Sequence, residues 1–113
     1  MKFKYMHRND CMADVELDAK NKVTVINKTD VIINRPFGIN EKPTLKDLDV
    51  FFEERCFPKA RANCKQLLND LGLDFYDPLA IVVKTHGRQW DDYNWIKFEG
   101  ETLDYETDIK LRD

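Results

Sequence analysis

Apolar and polar residues change period twice along this chain, and the changes divide it into three parts. In the first part, 1–43, the period is two. Phe3 and Tyr5 alternate with Lys2 and Lys4, and Ala13, Val15 and Leu17 alternate with Asp14, Glu16 and Asp18. The polar turn Ala19-Lys20-Asn21-Lys22 then leads into Val23-Thr24-Val25-Ile26, which reads as a hairpin without the Asn-Gly dipeptide of the tightest turns. Val31-Ile32-Ile33 is a candidate third strand of that set, and two prolines, Pro36 and Pro43, close the region as a surface loop.

From Thr44 to Gly87 the period becomes helical. Thr44 is placed to cap a first helix, with Asp47 standing where a capping box usually has Glu or Gln, and Leu45, Leu48, Phe51 and Phe52 form its apolar face. Cys56-Phe57-Pro58 breaks that helix. Pro58 can open a second, whose stripe is Ala60, Cys64, Leu67, Leu68 and Leu71 and whose left-handed cap is Gly72. Asp77-Pro78 predicts a third helix with Leu79, Val82 and Val83 on its stripe, Ile81 off it, and Gly87 closing it.

After Arg88 the pattern reverts to strand in Tyr93-Asn94-Trp95-Ile96-Lys97-Phe98. Past Gly100, Leu103, Tyr105, Ile109 and Leu111 alternate with acids as an edge strand or an extended peptide. Taken together the pattern predicts an α+β fold, a small antiparallel sheet packed against three short helices. It forms a single domain with one core: 1–43 strands and loop, 44–87 three helices, 88–113 aromatic strand and acidic tail.

Composition narrows the function classes. The chain has 113 residues, 42% hydrophobic and 35% charged, and no apolar run long enough to span a bilayer, so a cytoplasmic location is expected. Three cysteines, Cys11, Cys56 and Cys64, without a C-x-x-C pair, point to reduced thiols and away from a zinc knuckle. Charge is uneven: residues 1–65 hold 13 Lys and Arg against 10 Asp and Glu, whereas 66–113 hold 5 against 11. That balance argues against direct nucleic-acid binding, and a helix-turn-helix reading of the second and third helices fails because the would-be recognition helix displays only Lys84.

Catalytic patterns are sparse. His7 and His86 stand in no metal-ligand spacing, a Cys/His dyad through Cys56 or Cys64 could form only in space, and the paired acids Glu53-Glu54, Asp91-Asp92 and Glu99/Glu101 read as solvated surface. Four scattered glycines build no phosphate-cradling loop. The expectation is therefore a protein without enzymatic activity, cofactor or metal. The residues left over after folding is accounted for are at the first helix break: Arg55, Phe57, Lys59, Arg61 and Lys65. There an exposed ring among cations would suit a partner protein, although Phe57 could instead plug the gap between helices.

Four segments, 6–18 (MHRNDCMADVELD), 35–39 (RPFGI), 48–58 (LDVFFEERCFP) with Arg61, and 90–96 (WDDYNWI), resemble in order the region preceding the kinase core in HipA-like proteins of Gram-positive bacteria. The resemblance implies a strand-plus-helix accessory subdomain, which in some systems is a separate HipS-like protein that binds and neutralises the toxin kinase. No kinase motif accompanies it, and the tail after Gly100 departs from the pattern. The chain would then be an antitoxin-like module whose partner is a HipA-like kinase. The alternative is a small acidic phage or mobile-element inhibitor of a host nucleic-acid enzyme, its 66–113 half imitating phosphate charge.

Overall fold

The computed structural model describes residues 1–111; positions 112 and 113 of the acidic tail lie outside the described residues. Three strands come first, β1 (Lys2–His7), β2 (Asp10–Leu17) and β3 (Val23–Asn27). The helices α1 (Leu45–Glu54), α2 (Cys64–Asp70) and α3 (Pro78–Thr85) follow, and β4 (Asn94–Phe98) closes the sheet. The sheet is wholly antiparallel in the order β3-β2-β1-β4, which is the α+β architecture that the alternating periods predict.

The main core lies between the sheet and the helices. Phe3 stacks on Phe51 with ring centroids 6.0 Å apart, Tyr5 meets Phe51 edge-on at 5.1 Å, and Phe52 closes on Phe3 at 5.5 Å. Rings at this spacing add roughly 0.5–1.5 kcal/mol per pair beyond their burial. The capping box of α1 forms in full. Asp47 N–H donates to Thr44 Oγ1 and Thr44 N–H to the Asp47 carboxylate, which these bonds hold below the usual carboxylate range. Gly72 has φ of 75° and ends α2 as a Schellman turn, with Leu73 N–H on Leu68 O and Gly72 N–H on Asn69 O.

Five details depart from the sequence pattern. Residues Ile32–Asn34 form a single 3-10 turn and not a third strand; Arg35 Nε holds the loop by donating to Thr29 O, and Ile33 is left exposed. The second helix starts at Cys64, six residues later than Pro58 suggests. Successive three-residue turns, Arg61 N–H to Pro58 O and Cys64 N–H to Arg61 O, wind the chain more tightly than a helix, and Ala60 offers too small a methyl to draw it back. On α3 the buried pair is Ile81 and Val82, because the helix packs on α1 with the side that carries them, while Leu79 and Val83 face outward.

The tail supplies the fourth departure: it is no strand. Tyr105–Ile109 winds into one wide helical turn, capped by Asp104 accepting from Thr107 N–H, which brings Tyr105 and Ile109 onto the far side of the sheet against Met6 and Trp95. A second, smaller core therefore exists where one was expected, which is the fifth departure. Trp95 is fully buried in it and donates Nε1–H to Arg8 O at 2.6 Å.

The two edges of the sheet differ. Along β4 the outward N–H groups are all taken: Asn94 donates to Asp92 Oδ1 (3.0 Å), Ile96 to the His86 carbonyl (2.7 Å) and Phe98 to Glu101 Oε1 (2.8 Å). Among the described residues nothing comparable lies along β3. Among the described residues no helix is long and apolar enough to cross a membrane.

Candidate partner-binding site

The five residues at the first helix break separate into an interior member and an exterior set. Arg55 follows the last turn of α1 and points inward, with 7% of its surface exposed. Its guanidinium donates twice to Asp92, Nη1 to Oδ2 at 2.8 Å and Nη2 to Oδ1 at 3.0 Å. Nε donates to Gly87 O at 2.8 Å and Nη2 also to Asn94 O at 2.9 Å. Burial works against the Arg55 charge, and the Asp92 bonds outweigh it, so its pKa rises further; Asp92 is held low by the same pairing against its own desolvation. The sequence reading of Arg55 as an exposed contact residue is thus corrected. Its four donor contacts tie α1, the α3 terminus and β4 together.

Gly87 makes this approach possible. Its φ is 61°, and a Cβ there would stand 3.0 Å from Ile96 Cδ1 and 3.2 Å from Arg55 Cβ. Asn94, missed in the sequence reading, extends the network: Oδ1 accepts from His7 Nδ1 at 2.6 Å and Nδ2 donates to Tyr5 Oη at 3.0 Å. Burial pushes the Tyr5 hydroxyl pKa up. A polar cleft of about 450 Å³ opens over these groups, and the groups at its floor are spent on one another. The signal available in the sequence was an Asn between two rings in a strand, where a buried amide must find partners. His7, Arg35-Pro36, Arg55, and Asp91 to Asn94 contribute to the walls or floor of this cleft.

Phe57 is half-buried as a plug, its ring edge-on to Tyr76 at 5.9 Å and its carbonyl accepting from Tyr76 Oη at 2.7 Å. Beyond it Lys59, Arg61 and Lys65 are exposed. Among the described residues none of the three meets a carboxylate, whereas Lys4, Lys28, Arg35, Arg55 and Lys110 each do.

The remaining candidate chemistry is placed as follows. Cys56 is buried and donates to Phe52 O, and burial, with Glu53 adding to it, pushes its thiol up to about 12, far from a reactive thiolate. His86 is left-handed at the end of α3 with Nε2 2.8 Å from Glu101 Oε2, so neither histidine stands beside a cysteine through these bonds. No group of three or more potential metal ligands occurs among the described residues. In the acidic half, Asp92 serves Arg55, Glu101 serves His86 and the Phe98 N–H, Glu106 serves Lys110, and Asp104 and Asp108 cap the tail turn.

Compared with family models, curated proteins and solved structures, the chain matches none.

Proposed function

We propose that this chain is a non-enzymatic, protein-binding accessory module, antitoxin-like in role, which docks on a HipA-like kinase through the segment 57–65. The observation that carries the reading is the clustering of three exposed cations next to a ring. Lys59, Arg61 and Lys65 fall within one short segment, exposed and in no ion pair among the described residues, beside the half-buried Phe57 plug. Unpaired surface cations contribute little to folding and are free to steer an acidic partner face. The buried Cys56 thiol and the engaged imidazoles support the non-enzymatic part of the reading.

The alternative, a phosphate-mimicking inhibitor, needs acids that face outward unclaimed. Asp92, Glu101, Asp104, Glu106 and Asp108 are bonded within the chain, and among the described residues the mimicry would rest on Asp74, Asp77, Asp91 and Glu99, four acids spread over 26 positions, which favours the first reading.

The test is co-expression with a HipA-like kinase from the same host, comparing the wild type with the triple variant Lys59→Glu/Arg61→Glu/Lys65→Glu. Co-purification and relief of kinase toxicity are expected for the wild type, with affinity falling roughly tenfold or more in the variant as three charge contacts reverse. A wild type that neither binds nor neutralises the kinase overturns the proposal.

A further inference from the structure

The hydrogen-bond phase of the sheet fixes which backbone groups of β3 face outward. Asp18 N–H donates to Lys22 O and Lys28 N–H to Met12 O, so the even-numbered residues of β2 and β3 bond each other across the pair. Val23, Val25 and Asn27 therefore direct both N–H and C=O away from the sheet. Among the described residues no hydrogen bond reaches these six groups. At the end of the same edge, Asn27 Oδ1 is buried and has no partner, the one such side-chain atom among the described residues. The opposite edge is closed at Asn94, Ile96 and Phe98, so the open edge is a property of β3 and not of the fold at large.

The side chains beside that edge say what it suits. Lys22, Thr24, Ile26 and Lys28 line one face, with Ile26 59% exposed next to a groove of about 420 Å³ and a lysine at either end. A second copy pairing in full register about Val25 would set Lys22 against Lys28 of its neighbour at both ends, and like charges directly opposite repel. Lys22 is in no ion pair among the described residues, and Lys28 shares the single Asp14 carboxylate with Lys4, so both ends of the edge keep a net positive charge and attract a strand with acids in these places.

We propose that the outer edge of β3 accepts an extended segment of a partner protein as a fifth, antiparallel strand, and that this segment carries an acidic residue opposite Lys22, apolar residues opposite Thr24 and Ile26, and an acidic residue opposite Lys28. Backbone bonds to Val23, Val25 and Asn27 supply affinity, and the alternate side chains supply selectivity. The inference shares with the proposed function the premise that the chain binds protein. Its surface is separate from segment 57–65, so each can fail alone.

The experiment uses the full chain and a seven-residue peptide that begins and ends in glutamate, with valine at its third and fifth positions and threonine elsewhere. A twin carries lysine in place of both glutamates. Binding of the glutamate peptide should slow amide exchange at Val23, Val25 and Asn27 and leave Ile96 unchanged, and the twin should bind at least several-fold more weakly at low salt. Val25→Pro removes an outward N–H without breaking a bond to β2, so the chain should keep its far-ultraviolet dichroism and lose peptide binding. Lys22→Glu should shift preference toward the lysine twin, and the triple variant at Lys59, Arg61 and Lys65 should bind the glutamate peptide like the wild type. Equal binding of both peptides, binding unchanged in Val25→Pro, no exchange protection at Val25, or a wild-type dimer that Val25→Pro dissolves would each overturn the proposal.

Discussion

Asp92 holds Arg55 by both carboxylate oxygens across a sequence separation of 37 residues, and it uses Oδ1 a second time to accept the Asn94 N–H. One acid thus neutralises a buried cation and closes the first outward position of β4. Arg55 in turn bonds the carbonyls of Gly87 and Asn94, so the pair joins the end of α1 to the α3 terminus and the last strand.

Breaking this pair from either side should be costly. Asp92→Asn leaves the guanidinium buried without its counter-ion, and Arg55→Met leaves two carbonyls and a carboxylate unpaired. Each should lower stability by roughly 3 kcal/mol, read as a shift in the denaturant midpoint. The double variant should lose less than the sum, and a double-mutant cycle measures the coupling.

The same pair sets an acid dependence. Asp92 has a folded-state pKa below its unfolded value, so its contribution is complete above the ordinary carboxylate range and disappears as pH falls through the depressed folded value. Asp14, held low by the Lys4 and Lys28 ammonium groups, acts in the same direction. Unfolding free energy measured from pH 7 down to pH 2 should decline through this range, and the decline should be shallower in Asp92→Asn than in the wild type.

Gly87→Ala should destabilise the chain by about 1–3 kcal/mol although the substitution adds one methyl group. The added carbon meets Ile96 and the Arg55 stem, and the left-handed backbone conformation disfavours any side chain. Gly72→Ala, equally left-handed but with nothing within 4 Å of the new carbon, should cost only the conformational part, about 1 kcal/mol. Thermal midpoints of the two variants separate steric from backbone strain.

Ile109→Ala tests the second core. Removing its side chain from against Trp95 and Met6 should cost roughly 2–4 kcal/mol and raise the solvent accessibility of Trp95, read by quenching of its fluorescence against the more exposed Trp90.

Much of the architecture was legible because period and burial agree. Phe3 and Tyr5, Ala13 and Val15, and Leu48 with Phe51 and Phe52 are where alternation and helical spacing put them. The tail was misread for a definable reason: Tyr105 and Ile109 are four apart, a separation that fits two strand steps and one helical turn equally well, and the Asp104 cap decided between them. The outward reading of Arg55 failed differently. A cation in a run of charged residues gives no local sign that an acid 37 positions later will enclose it. Lys59, Arg61 and Lys65 are exposed as the absence of apolar spacing predicts, although Lys59 and Arg61 lie in the turns before α2 and not on its outer face.

The closure of β4 by Asp92, His86 and Glu101 also bears on how such chains behave at high concentration. Edge-to-edge polymerisation needs a receptive strand on both flanks of every subunit, as a zip fastener needs two rows of teeth. With one flank sealed, growth along the sheet stops after a single addition, and the molecule can take on a neighbour there without seeding a fibre.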